Sequence, residues 1–277
     1  MPLRRLVYRL PVLALALVVA LYGGVCAYFW IGQERFLFSP QILPQDYTFR
    51  FPWSHEEVRL PVGGGIDLDA LLFRAKPSKG VVFFLHGRGG NLQNNCQGAG
   101  LYLEQGYDFF SFDYRGFGKS GGSITAESEF HDDVSRAYEW VLARYPEEAI
   151  VVVGSSLGAA PAAKIACAHH PRHLVLAAPY TSMLDVARDW YPVTRLLPDL
   201  LMRYPFRTDL YIGSCTVPVT IVHGTADDQF PIRYAEKLSR LLPPGRCRLV
   251  RVPGADHNVR QTAVYQAEVR EILAGTR

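Results

Sequence analysis

Gly154-Ser155-Ser156-Leu157-Gly158 follows the β-branched run Ala149-Ile150-Val151-Val152-Val153 and precedes a segment, residues 159–168, of small helix formers. A short apolar run of this kind reads as a buried strand, and the alanine-rich segment after it as a helix. A strand that turns at once into a helix, with glycine two places either side of a serine, has the form of a nucleophile elbow. Such a turn holds its central residue in strained backbone geometry. Small residues at the flanking positions let strand and helix approach closely. Five residues alone also fit an ordinary glycine-rich turn, so the rest of the chain decides between the two.

Outward from the elbow, strands and helices alternate. Gly80-Val81-Val82-Phe83-Phe84-Leu85 is a continuous apolar run, as expected of a strand buried on both faces of a parallel sheet. It leads into His86-Gly87-Arg88-Gly89-Gly90-Asn91 and a helix expected over about 92–105. Residues 109–112 are the next strand, ending in Asp113-Tyr114-Arg115-Gly116-Phe117-Gly118-Lys119-Ser120-Gly121-Gly122. A helix over about 126–145 places Phe130, Val134, Ala137, Tyr138 and Val141 on one face. Past the elbow, residues 174–178, 217–222 and 248–252 read as strands, with helices near 232–242 and 259–273. Upstream, 57–61 and 67–74 alternate apolar and polar residues around Gly63-Gly64-Gly65, as in an antiparallel hairpin. The pattern predicts a mostly parallel sheet with helices on both faces. Residues 180–215 break the rhythm with Pro192, Pro198 and Pro205 and the aromatics Trp190, Tyr191, Tyr204, Phe206 and Tyr211. They read as a short helical insertion over the C-terminal edge of the sheet. Trp190 and Tyr191 belong either to its core or to a pocket lining.

The last two strands each lead into a partner for Ser156. One ends in His223-Gly224-Thr225-Ala226-Asp227-Asp228, the other in Pro253-Gly254-Ala255-Asp256-His257-Asn258. Loops after parallel strands share one edge of the sheet, so the three loops converge. A serine hydroxyl needs a base to remove its proton during attack; His257 has that role and Asp227 fixes its tautomer. The adjacent Asp228 is the alternative acid. The developing oxyanion calls for two backbone donors, assigned to the N–H groups of Leu157 and Arg88. His86, Asp113 and Arg115 read as loop-ordering residues.

Five motifs in order carry a resemblance over residues 33–277: His86-Gly87-x-Gly89-Gly90-Asn91, Asp113-Tyr114-Arg115-Gly116-x-Gly118-x-Ser120, Gly154-x-Ser156-x-Gly158, His223-Gly224-Thr225-x-Asp227 and Gly254-x-x-His257-Asn258. This region resembles α/β-hydrolase-fold serine hydrolases, and among them the N-terminally membrane-anchored α/β-hydrolase-domain proteins, some of which are depalmitoylases. The resemblance implies the α/β-hydrolase fold with a cap-like insertion at about 180–215, and the order Ser156, Asp227, His257 that such enzymes use. It implies no metal and no cofactor. Arg88 departs from the small polar residue common in relatives, and adds a cation at the pocket mouth.

The chain has 277 residues, 49% apolar and 20% charged, with a net charge of +3, too mild for a nucleic-acid partner. From Leu10 to Gly32 about 23 residues carry no charge, roughly 35 Å of helix and enough to cross a bilayer core. Arg4, Arg5 and Arg9 precede this run and Tyr22, Tyr28, Phe29 and Trp30 lie along its far half. The reading is an uncleaved signal anchor over 1–32, N-terminus cytoplasmic, with the catalytic domain on the outer, periplasmic or extracellular, side. A cleaved signal peptide and a lipoprotein site at Cys26 are the alternatives. If the last two strands are parallel neighbours, Cys215 and Cys247 lie side by side and form a disulfide.

These readings together give a membrane-anchored serine hydrolase that cleaves a carboxylic ester or thioester of a small-molecule or lipid-like acyl substrate through an acyl-enzyme. A peptidase of prolyl-aminopeptidase type, an acyltransferase and a catalytically inactive scaffold are the rivals.

Overall fold

The computed structural model describes the backbone of residues 2–276 and side chains from Arg9 onward; the side chains of Arg4 and Arg5, two of the arginines behind the reading of orientation, lie outside the described residues. Eight strands form one sheet: β1 (His55–Gly63), β2 (Ile66–Phe73), β3 (Val81–Leu85), β4 (Asp108–Phe112), β5 (Ile150–Ser155), β6 (His173–Ala177), β7 (Val219–Gly224) and β8 (Cys247–Val252). Their spatial order is β1-β2-β4-β3-β5-β6-β7-β8. The hairpin β1–β2 is antiparallel and joins β4 antiparallel, while all remaining neighbours are parallel. The longer helices are α1 (Pro2–Leu37), α2 (Glu127–Leu142), α3 (Ala159–Ala168), α4 (Met183–Trp190), α5 (Arg233–Leu241) and α6 (Ala263–Ala274).

Alternation along each central strand feeds two cores. Val81, Phe83 and Leu85 of β3 point to the side covered by α2 and α3, where they meet Tyr138, Val141 and Ala162. Val82 and Phe84 point to the other side, toward Tyr102, Tyr265 and Val269. Both faces are therefore covered, which is why these strands read as unbroken apolar runs. The chain leaves β3 toward β4 on one side and arrives at β5 on the other. The C-terminal ends of β3 and β5 thus flank the switch point of the sheet, where an open α/β sheet offers a crevice.

Two segments lie outside this frame. Between β6 and β7, a cap consists of α4, the turns Pro192–Leu196 and Asp199–Leu201, and the short helix Thr208–Ile212. Within α1, Arg9–Leu37 is the one helix among the described residues long and apolar enough to cross a membrane, a property that anchors and signal peptides share. Its apolar window is not buried against protein. Beyond α1, Phe38 enters the core, and Ser39–Pro40 pairs in parallel with Gly89–Gly90.

Two expectations are corrected. The helix over 92–105 is broken into Leu92–Asn95, the turn Cys96–Gly98, and Gly100–Leu103. Asn and Gly are weak helix formers, and the Asn95 amide turns back to donate to Gly89 O and Asn91 O instead of continuing a helix face. The second correction is the disulfide, which joins Cys167 to Cys215, leaving Cys247 free and partly buried. β7 and β8 are parallel neighbours as assumed, but the register sets Cys247 opposite Val219. Cys215 precedes that strand, at the end of the short helix Thr208–Ile212, and meets Cys167 at the end of α3 with 4.3 Å between Cα atoms.

Candidate active site

The elbow is a place of enforced closeness. Ser156 has φ of +52°, a left-handed conformation that costs a non-glycine residue about 1–3 kcal/mol. A side chain at Gly154 would place Cβ 2.5 Å from Ala162 Cβ, and one at Gly158 would place it 2.2 Å from Leu85 O. Only glycine lets α3 start against β5 and β3, and that start aims the serine out of the sheet. The same glycine spacing recurs at Gly118-x-Ser120-x-Gly122, with a different outcome. There the hydroxyl donates to Asp113 O at 2.6 Å and accepts from Asp69 N at 2.8 Å, so it is committed to holding the loop.

His257, on the loop after β8, reaches both partners. Its Nε2 lies 2.9 Å from Ser156 Oγ and its Nδ1 lies 2.8 Å from Asp227 Oδ2. A carboxylate only accepts, so Nδ1 carries the proton and Nε2 is left to accept from the serine hydroxyl. Asp227 is itself held: Oδ1 accepts from Gln229 N at 3.0 Å and Phe230 N at 2.8 Å. Burial works to raise its pKa, but hydrogen bonds from His223, His257 and the Phe230 N–H outweigh it and hold the carboxyl well below the usual range. Asp228, the alternative acid, makes no such contact and is exposed.

Two partners of this group escaped the sequence reading. His223 is fully buried, with Nε2 2.6 Å from Phe230 O and 3.3 Å from Asp227 Oδ2, so one N–H is shared between two acceptors. Phe230 sets its ring edge-on to His257, centroids 5.0 Å apart. His223 stands in the quoted His-Gly-Thr-x-Asp motif, so a signal existed; nothing local marks Phe230.

Leu157 is the second residue of the turn Ser156–Gly158 that leads into α3, where backbone N–H groups have no intrahelical acceptor. Across from it, the Arg88 carbonyl accepts from Ser39 N at 2.8 Å, which fixes the Arg88–Gly89 peptide, the one after the peptide that carries the Arg88 N–H. The loop below is ordered as expected. Neutral His86, fully buried with its pKa lowered to about 4 by burial, donates from Nδ1 to Gly87 O at 2.8 Å. Asp113 accepts from Leu92 N at 3.1 Å, and Arg115 is paired with Asp133 at 2.6 and 2.8 Å.

Ser156 stands between two cavities of opposite character. One, of about 60 Å³, is apolar and lined by Phe29, Phe36, Met183, Trp190, Tyr191 and Phe230 among others. Trp190 and Tyr191 thus line the pocket, and Trp190 also stacks on Phe230 and donates to Gln229 O at 2.8 Å. The other, of about 540 Å³, is a groove walled by amides and two cations, among them Asn94, Asn95, Gln229, Gln261, Arg88 and Arg260. No Asp or Glu is among the described residues lining either cavity.

Known proteins resemble this chain in sequence and in fold. Residues 76–210 match the family described as serine aminopeptidase, S33. An uncharacterized protein of Mycobacterium tuberculosis is 30% identical over 256 residues, 90% of this chain and 88% of its own length. Lysophosphatidylserine lipase ABHD12 of Xenopus tropicalis is 27% identical over 220 residues, 70% of this chain and 56% of that protein. Among solved structures, an esterase of Pyrococcus furiosus superposes with a TM-score of 0.67 at 19% identity, over 86% of this chain and 98% of the esterase.

Proposed function

The chain belongs to the α/β-hydrolase family, and from that premise we propose that it is a serine hydrolase cleaving a carboxylic ester or thioester through an acyl-enzyme. The observation that carries the reading is the unbroken relay Asp227–His257–Ser156 at the junction of the two cavities. In the first half-reaction Ser156 Oγ attacks the carbonyl carbon as His257 Nε2 takes its proton, and the Leu157 and Arg88 N–H groups stabilise the oxyanion. The bond from carbonyl carbon to leaving oxygen or sulfur breaks, and the imidazolium returns the proton to the leaving group. Water, deprotonated by His257, then attacks the acyl-enzyme and releases the acid and free Ser156. The apolar cavity suits the acyl chain, and the amide-lined groove suits a polar leaving group.

A peptidase that holds a substrate amine, as the matched family's description suggests, needs a carboxylate near the scissile bond. The cavity linings supply none among the described residues. We read the domain as residues 33–277, held at a membrane by α1 with the N-terminus inside. The Cys167–Cys215 disulfide supports an oxidising, outer compartment.

The test is labelling with a fluorophosphonate, followed by p-nitrophenyl esters of rising chain length against aminoacyl amides. Wild type is expected to label and to prefer esters, and Ser156→Ala to do neither. Labelling that survives the substitution removes Ser156 as nucleophile. A folded wild type that never labels favours an inactive scaffold.

A further inference from the structure

The apolar cavity at Ser156 is not made by the catalytic domain alone. Phe29, Gln33, Phe36 and Leu37 of α1 form part of its wall, facing Met183, Ala187 and Trp190 of α4. A second apolar cavity, of about 40 Å³, shares Phe29, Gln33, Ala187 and Met202 with the first and continues to Leu197 and Pro198. Together they step from the nucleophile along α1 toward the edge of the cap.

This end of α1 is bolted in place. Gln33, only 7% exposed, donates from Nε2 to Leu201 O at 2.6 Å and accepts at Oε1 from Arg203 N at 2.8 Å. Its amide thus bridges the backbone of one cap segment as a strand would. Glu34 accepts from the Tyr204 hydroxyl at 2.8 Å and lies 2.6 Å from Arg203 Nη1. Phe29 and Phe36 both pack against Tyr191.

The cap edge reaches along the apolar part of the helix. Tyr22 donates to Leu196 O at 2.9 Å, and Tyr22 lies ten residues before Gly32, about 15 Å further down the helix. Beside this contact Leu196 is 72% exposed, next to helix side chains that are themselves unburied, while Leu200, 79% exposed, adjoins Leu201, which meets Gln33 nearer the end of the helix. These surfaces are continuous with the apolar helix, whose length and composition fit the acyl region of a bilayer.

We propose that the acyl chain enters sideways from a lipid leaflet, along the path between α1 and the cap, and that α1 is a specificity-determining wall of the acyl site. The cap edge at Leu196 and Leu200 sits in the same leaflet. This rests on the reading of Ser156 as nucleophile in an ester hydrolase, and the test separates the two.

The full chain in nanodiscs is treated with an alkyl fluorophosphonate whose chain ends in a diazirine, then irradiated and mapped by peptide mass spectrometry. Cross-links within 29–37 and 197–202 are expected. An adduct on Ser156 whose cross-links fall only in 94–98 or 258–266 overturns the path while leaving the nucleophile intact. Failure of wild type to form any adduct removes both. Leu196→Trp in nanodiscs of brominated lipid is expected to lose the added emission relative to ordinary lipid. Unquenched emission places the cap edge in water and defeats entry from the leaflet. Ala187→Trp should lower the ratio of dodecanoate to acetate ester hydrolysis by about tenfold or more, with the adduct on Ser156 reporting that the site is formed. An unchanged ratio counts against α1 and α4 as the acyl walls.

Discussion

Ser156, His257 and Asp227 are placed so that each constrains the next, and their substitutions should differ in kind. Ser156→Ala should lower ester hydrolysis by about 10⁶-fold, and Asp227→Asn by about 10⁴-fold through the wrong imidazole tautomer. Ester-hydrolysis rates of the purified variants check both, with fluorophosphonate titration counting the active sites of wild type and Asp227→Asn. Asp227 also has a stability role with a definite sign. Its folded pKa is depressed, so its contribution is full above the ordinary carboxyl range and is lost as pH falls through the folded value. Asp69 has the opposite sign. It is fully buried, neither side-chain oxygen has a hydrogen-bond partner, and burial lifts its pKa from 3.8 to about 6. Its folded form therefore binds a proton more tightly, and stability falls as pH rises from about 4 to 6. Asp69→Asn should accordingly be more stable than wild type at pH 8, by about 1–2 kcal/mol, with the difference closing below pH 4. Denaturant melts at the two pH values decide it; an equal difference at both would mean that the carboxylate charge is not the cause.

The turn from β5 into α3 depends on the absence of two side chains. Gly158→Ala would drive a methyl into Leu85 O at 2.2 Å, where backbone cannot yield, and should cost about 3 kcal/mol or more of stability. Thermal melts would show it, alongside a control Gly213→Ala, an exposed position with ordinary backbone where a methyl meets nothing closer than 3.8 Å. The disulfide ties the last turn of α3 to the cap, closing a 48-residue separation, so Cys167→Ser or Cys215→Ser should cost about 2–4 kcal/mol. Cys247→Ser should change little. Intact mass after alkylation with and without reductant identifies the pair. The sequence reading reached the elbow, the strands and the order of the three polar residues because each is a local pattern: β-branched runs, glycine spacings, a histidine just past a strand. It missed the cysteine pairing because that depends on where Thr208–Ile212 docks on α3, a contact between elements far apart in sequence. The broken helix after Asn91 was missed for a related reason, since the Asn95 amide is claimed by Gly89 O only once the loop is folded.

At the scale of the molecule, the sheet and both its cores were legible, because runs such as Val81–Leu85 declare burial on two faces. The walls of the site were not. Gln33 looks like a polar residue at the end of an apolar helix, and only the folded chain shows its amide bridging Leu201 and Arg203. The same holds for the amide groove, whose members are scattered from Asn94 to Gln266. The groove also bears on the leaving group. With Arg88 and Arg260 and no carboxylate among its described lining residues, it should favour neutral or anionic leaving groups. Esters of a cationic amino alcohol should therefore show lower kcat/KM than matched neutral esters, and a preference for the cation would refute this. The wall that α1 lends to the apolar cavity has a consequence for kinetics. On the proposed path along α1, turnover responds to how crowded the substrate is in the plane of the bilayer, and the volume of water around it drops out. Diluting a long-chain ester with inert lipid at fixed total concentration should slow turnover in proportion to its mole fraction, while adding buffer should leave the rate per vesicle unchanged.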